Sequence, residues 1–160
     1  MNTHIKSAIT LKPFDPNYQE AVKLLILDGL EEHWGSIDPD KNPDLDNICT
    51  SYKNSKFITA WQNGELVGTG VLLPVTAKTA KIVRMSVHKR YRRQGIGKNI
   101  LNYLVNHAIS DGYAKLVLET TETWEEAILF YKAYGFLFTH SQDGDTYFEL
   151  GLSSDSNYGE

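Results

Sequence analysis

One helix set between two strands, with a hairpin signal on either side, constrains this chain more than its composition does. A third expected strand over residues 79–87 leads through a basic turn into Gln94-Gly95-Ile96-Gly97. From there Ile96, Ile100, Leu101, Leu104, Val105 and Ala108 recur at helical spacing as far as Asp111-Gly112. A short apolar strand at 115–119 follows. Strand, helix and strand in that order join parallel neighbours through a right-handed crossover. The flanking signals are Asn63-Gly64, between runs at 57–61 and 66–73, and Gln142-Asp143-Gly144, between runs at 136–140 and 146–150. Hairpins are antiparallel, so the expected fold is α/β (α+β): a single domain with a mixed, mostly antiparallel central sheet flanked by helices.

The remaining elements complete that plan. Ile5, Ile9 and Leu11 suggest a first strand. Asp15-Pro16 offers an N-cap and a proline at the first helical position, so a helix is expected over 16–30. Its Ala21, Leu24, Leu25 and Val22, Ile26, Leu30 sets form a broad apolar face, and Gly35 closes the segment. Residues 36–55, with Pro39, Pro43 and many Asp and Asn, read as a loop holding one short helix near 45–52. Thr123 and Glu126 have capping-box spacing, and Ala127, Phe130, Tyr131 and Tyr134 continue a helical stripe to Gly135. The domain is expected to occupy residues 1–152, with a polar, frayed tail at 153–160.

Composition serves mainly to exclude. A single Cys, Cys49, among 160 residues allows no disulfide within the chain and reads as a passive thiol. No apolar run approaches the roughly 18 residues of a membrane helix. The polar stretch 1–12 lacks the ~7 to 15-residue apolar core of a secretory signal. A cytoplasmic domain with no membrane contact is therefore expected. His4, His33, His88, His107 and His140 show no metal-ligand spacing, so no metal is expected.

The net charge of −4 conceals a segregation. Lys81, Arg84, Lys89, Arg90, Arg92, Arg93 and Lys98 fall within residues 81–98 with no acid among them. An acidic chain that gathers seven cations in one segment is expected to meet an anion there. Between Asp28 and Asp46 the balance reverses: seven acids face only Lys41, so this segment is expected to attract cations. A nucleic-acid-binding module would also use residues 81–98, but the overall acidity and the lack of an aromatic platform beyond Tyr91 weigh against it.

The glycines sharpen the anion reading. Unpaired N–H groups at a helix start, together with the helix macrodipole, bind phosphate, and glycine lets a diphosphate approach the backbone. A dinucleotide-binding turn sets its first glycine directly after the strand, whereas seven residues, His88 to Gln94, separate Val87 from Gly95. Its third glycine is Ile100 here, and a Walker loop fails because Asn99 follows Gly97-Lys98.

Arg92-x-x-Gly95-x-Gly97, preceded by a strand ending Met85-x-Val87, is similar to the coenzyme A signature of the GNAT superfamily of acyl-CoA-dependent N-acyltransferases. Ala127-x-x-Phe130-Tyr131-x-x-x-Gly135-Phe136 resembles that family's second motif, so about a third of the chain carries the close resemblance. The resemblance implies acetyl-CoA as cosubstrate and transfer of its acetyl group to a primary amine by direct attack. It also implies that Arg92, Arg93, Gln94, Gly95, Ile96, Gly97 and Lys98 bind the diphosphate, chiefly through backbone N–H groups from 93 to 98. Met85 and Val87 would pair with the pantetheine arm, Met85 N–H would polarise the acetyl carbonyl, and Tyr131 would protonate the departing thiolate. A phenol of pKa about 10 stays protonated at pH 7 while a thiolate of conjugate pKa about 8.5 seeks a proton, which agrees with that role. A coenzyme-A-binding sensor without turnover would share these features.

The acceptor side is less defined. Lys81 stands where many family members carry a glutamate base, which leaves Glu119, Glu32 and His33 as candidates. Thr120-Thr121-Glu122-Thr123-Trp124 replaces the usual Asn before the second motif's helix. Glu32, His33 and Trp34 are expected near the acceptor, a small-molecule or protein amine of cationic character. Homodimers are common in the resembled family.

Overall fold

The computed structural model describes residues 8–153. Ile5 of the expected first strand and residues 154–160 of the expected tail lie outside the described residues.

Seven strands form one sheet in the order β1-β2-β3-β4-β5-β7-β6. Strands β1 (Thr10–Pro13), β2 (Lys56–Gln62), β3 (Glu65–Pro74) and β4 (Thr79–Val87) are successive antiparallel neighbours. β5 (Lys115–Thr121) runs parallel to β4 and antiparallel to β7 (Asp145–Gly151), and β6 (Leu137–Gln142) closes the edge. Local chemistry fixes both hairpins. Asn63 (φ 53°) and Gly64 (φ 78°), like Asp143 (φ 52°) and Gly144 (φ 84°), adopt the left-handed conformations whose twist matches the strands they join.

Helices cover both faces. On one, α3 (Ile96–Ser110) and α4 (Glu125–Tyr134) bury Ile100, Leu101, Leu104 and Val105 against Ala80, Ile82, Leu116 and Leu118. Complete burial of such side chains contributes about 1.5–3 kcal/mol each. On the other face, α1 (Gln19–Trp34), α2 (Ile48–Ser51) and the turn before it place Val22, Ile26, Leu45 and Ile48 on Phe57 and Val71.

Several boundaries differ from expectation for identifiable reasons. Asp15 does accept from Asn17 N–H, but Pro16–Tyr18 is a 3-10 turn, and the α-helix runs past residue 30 until Gly35 caps it at φ 79°. Ala21 and Leu24 are exposed, because the stripe that meets the sheet is the narrower Val22, Leu25, Ile26 set. Ile9 packs on the core outside the strand. The 36–55 loop holds 3-10 turns at Pro39–Lys41 and Pro43–Asp46 ahead of α2. The Thr123/Glu126 capping box does not form: Trp124 is the N-cap, with its N–H on Thr121 O at 2.9 Å and no side-chain cap. Its ring stacks on His33 at 4.2 Å, so a contact between distant segments displaces the local one.

One feature of the sheet positions the site. β5 pairs with β7 along its whole length, from Lys115 to Thr121, but with β4 only over Thr79–Lys81 against Lys115–Val117. Beyond that the two parallel strands separate. On its other side β4 carries a bulge: the register passes from Val71↔Val83 to Thr69↔Ser86, so Arg84 and Met85 both stand opposite Gly70. Arg84 has φ 52°, rare for a non-glycine residue inside a strand.

Candidate active site

The start of α3 supplies the donors. His88 N–H bonds Val67 O at 2.8 Å and Tyr91 N–H bonds His88 O at 2.8 Å, which ties the turn after β4 in place. Arg93 (φ 63°) and Gly95 (φ 83°) then reverse the backbone into the helix. Asn99 N–H is the first to bond back, to Gly95 O at 3.0 Å. The N–H groups of Arg93, Gln94, Gly95, Ile96, Gly97 and Lys98 donate to no protein acceptor among the described residues. These orphan donors and the positive end of a 15-residue helix make a cradle for an anion. Nothing lies within 4 Å of where a Gly95 Cβ would stand, so a diphosphate can approach the main chain. The chemistry of this donor set therefore fits the diphosphate of coenzyme A.

Gly97 links the cradle to the fork. A Cβ there would lie 3.4 Å from Phe130 Cζ on α4 and 3.7 Å from Val87 Cγ2 at the end of β4. Next along α4, Tyr131 is only 8% exposed and packs between the rings of Phe130 (centroids 5.1 Å) and Phe136 (5.7 Å). Burial pushes its phenol pKa up. Among the described residues no buried side-chain polar atom lacks a partner, and the Tyr131 hydroxyl bonds to none of those residues, so this oxygen is not wholly enclosed. Met85 and Val87 lie on the stretch of β4 that β5 no longer pairs.

The charged side chains are arranged differently from the cradle. Five of the seven cations in residues 81–98 meet carboxylates: Lys81 meets Glu119, Arg84 meets Asp44 (2.7 Å), Arg90 meets Glu65 (3.2 Å), Arg92 meets Glu32 (2.6 Å) and Arg93 meets Glu126 (3.8 Å). Arg92, expected at the diphosphate, spans Val87 O (3.0 Å) and Glu32, because α1 brings an acid within reach. Lys89 and Lys98 have no ion-pair partner among the described residues. The candidate anion site is thus mainly backbone, with most of the cationic side chains of this segment engaged by carboxylates.

Two cavities flank the fork. One, about 440 Å³, lies between Asp28, Glu31 and Glu32 of α1 and Val87, Lys89 and Arg92. The other, about 340 Å³, adjoins it at Gly29, Glu32 and Arg92 and reaches Trp124 and Glu126. His33 lies flat on Trp124, with 5° between the rings, and edge-on to the half-exposed Trp34 at 4.7 Å. The expected acceptor residues Glu32 and His33 line this second cavity.

Glu119 sits where the strands part. Burial disfavours its charge, but hydrogen bonds from Lys81 and Tyr147 outweigh this and hold its pKa below the ordinary carboxylate value. Tyr147 is opposite Glu119 in the β5–β7 register, and that bond raises the tyrosine's own pKa. Sequence reasoning passed over Tyr147. Its signal is the period-two run at 146–150, which separates Tyr147 and Glu149 from the buried Thr146, Phe148 and Leu150. Among the described residues no group of His, Cys, Asp and Glu could hold a metal ion, and no helix is long and apolar enough to cross a membrane.

A strand end, a donor-lined helix start and a forked parallel pair define an acyl-CoA transferase architecture, and comparison with known proteins agrees. Residues 23–136 match the model of the acetyltransferase (GNAT) family, to which this chain belongs. It is 35% identical over 100 residues to a mouse protein described as probable N-acetyltransferase family 8 member 5, covering 58% of this chain and 44% of that one. It is 32% identical over 82 residues to the Bacillus subtilis (strain 168) uncharacterized N-acetyltransferase YsnE, covering 50% and 54%. The chain thus spans about half the length of the curated relatives it matches. A GNAT-family acetyltransferase from Staphylococcus aureus Mu50 superposes with TM-score 0.84 at 25% identity, over 91% of this chain and all of that one. The PaiA N-acetyltransferase of Thermoplasma acidophilum, solved with coenzyme A, shares the fold with TM-score 0.80 at 16% identity, over 91% and 99%.

Proposed function

We propose that this protein transfers the acetyl group of acetyl-CoA to a primary amine, by direct attack and without a covalent acyl-enzyme. The observation that carries this reading is the row of N–H groups from Arg93 to Lys98, without protein acceptors and facing no side chain at Gly95. It lies beside the end of β4 that β5 no longer pairs. The thioester supplies an activated acyl carbon.

The chain's residues divide the work. Backbone donors from Arg93 to Lys98 hold the diphosphate, and Met85 and Val87 present main-chain groups to the pantetheine amides in the manner of an added strand. Met85 N–H donates to the carbonyl oxygen as the amine nitrogen bonds to the acyl carbon. As the carbon–sulfur bond breaks, Tyr131 passes its proton to the sulfur, the nitrogen bonded to the acyl carbon loses a proton to solvent, and Tyr131 is reprotonated from solvent. Burial makes Tyr131 a weaker acid, which keeps the proton on the phenol until the thiolate develops.

The amine must arrive neutral. For an alkylammonium of pKa about 10.4, deprotonation at pH 7 costs about 4.6 kcal/mol. Glu119, with lowered proton affinity and two hydrogen bonds already made, is suited to fix Lys81 rather than to remove that proton. Loss of the proton to water is the route we favour. Asp28 and Glu31 line the larger cavity without ion-pair partners among the described residues, which supports a cationic acceptor, a small amine or a protein amine.

Calorimetry of the purified protein with free and acetylated coenzyme A, followed by a thiol-release assay over a panel of amines and peptides, tests the proposal. Heat, a thermal shift and amine-dependent thiol release are expected, and product mass would identify the acceptor. Binding without release for any amine would favour the sensor reading, and absence of binding would overturn both.

A further inference from the structure

We propose that Arg84 is a positioning residue for acyl transfer, clamped by the 42–52 segment so that the β4 bulge keeps the Met85 backbone aimed into the fork. This rests on the acetyltransferase reading above. Residue 84 adopts φ 52° in mid-strand, a strained conformation for a non-glycine side chain. Such a conformation persists only where its surroundings enforce it.

Here they do so from three sides. Thr69 Oγ1 donates to Arg84 O at 2.8 Å, fixing the carbonyl on the β3 side. Asp44 receives both arms of the guanidinium, Nε on Oδ2 at 3.0 Å and Nη2 on Oδ1 at 2.7 Å. Nη2 also reaches Asn42 Oδ1 at 3.1 Å. The Tyr52 hydroxyl donates to Asp44 in turn, and its pKa is pushed up to about 12 by burial and by that bond. The forked pairing fixes direction as well as distance, which a lysine at this position would not do.

The clamp is anchored at its far end. Asp44 lies in the Pro43–Asp46 turn, whose Leu45 is fully buried, and Ile48 just beyond is buried in the same cluster as Val22 and Phe57. Gln19 holds the segment to α1 through Leu45 O (2.7 Å) and Ile48 N–H (3.0 Å). The α1 side of the sheet, which lines the larger cavity, is therefore joined to the bulge next to Met85 by a chain of half-buried polar contacts. At the other side of the bulge, a Gly70 Cβ would lie 2.5 Å from Ile100 Cγ2 and 2.7 Å from Met85 Sδ, so a larger residue at 70 would press on both side chains.

Glycine separates the two contributions at position 84. Arg84→Gly accepts the positive φ freely and removes the guanidinium, whereas Asp44→Asn keeps the side-chain shape and removes the charge. Each variant is expected to lower single-turnover rate about 10-fold while leaving acetyl-CoA affinity within about twofold. The double variant should be no slower than the worse single, since both break one contact. Amide hydrogen exchange at residues 84–87 should quicken in both variants, a readout that needs no turnover. Wild-type rate in a folded Arg84→Gly variant, unchanged exchange, or losses that multiply in the double would overturn the proposal. Failure of the enzyme reading is distinct: the wild-type protein would then release no thiol while the exchange comparison still reports on the clamp.

Discussion

The basic segment 81–98 and the acidic segment 28–46 are opposite in charge and alike in what composition suggests, a surface awaiting a ligand of the other sign. In the folded chain they partly satisfy each other, through Arg84 with Asp44 and Arg92 with Glu32. What remains available differs in kind. The basic segment retains main-chain donors at the start of α3, which side-chain ion pairs do not consume. In the acidic segment the available groups are side chains, and Asp44 and Asp46 are taken up by Arg84 and Lys23 (2.8 Å). A binding site made of backbone survives internal pairing, whereas one made of exposed charges is diluted by it.

The contrast can be broken most severely at Gly97. Gly97→Trp would fill the space between Phe130 and Val87, so calorimetry should detect no coenzyme A binding by a variant that circular dichroism shows folded. Undiminished affinity would discredit the cradle. Next in size, Tyr131→Phe should keep acetyl-CoA affinity and slow turnover ~10² to 10⁴-fold, the range for a positioned acid. With the phenol's pKa raised by burial, wild-type kcat/KM should climb with pH as the amine deprotonates and show no fall from Tyr131 below pH ~10.

The acidic side should respond more weakly. Asp28→Asn with Glu31→Gln is expected to raise the acceptor KM about two- to fivefold and flatten its dependence on salt, because exposed charges are screened within about 8 Å at physiological ionic strength. An unaltered KM and salt profile would remove steering by this segment. The smallest effect concerns stability. Burial opposes the Asp44 charge, yet the Arg84 and Tyr52 bonds prevail and lower its pKa from 3.8. A depressed folded-state pKa contributes stability that is complete above the unfolded value and disappears as pH falls through the folded one. Melting temperature should therefore drop below pH ~4 by less in Asp44→Asn than in wild type, measured by scanning calorimetry. Equal acid sensitivity would show that the pair contributes nothing there.

Much of the site was legible along the chain because its signals are local. Gly95, Gly97 and the stripe from Ile96 to Ala108 announce a helix start with accessible donors, and Tyr131 falls on an equally regular stripe. What Arg92 pairs with was not legible, for the opposite reason. Its partner Glu32 is 60 residues away, and only the packing of α1 on the sheet brings them within 2.6 Å. Tyr147 escaped notice because its link to Glu119 depends on strand register.

Residue order by itself determined the hairpins, the crossover and the helix that opens on two glycines, since turn conformation and hydrophobic period act over a few residues. Tertiary structure alone decided where β4 leaves β5, which residue bears the bulge and which acid each cation meets. Those outcomes depend on the relative placement of segments tens of residues apart, set by how α1, α3 and the sheet pack, and no local periodicity encodes them.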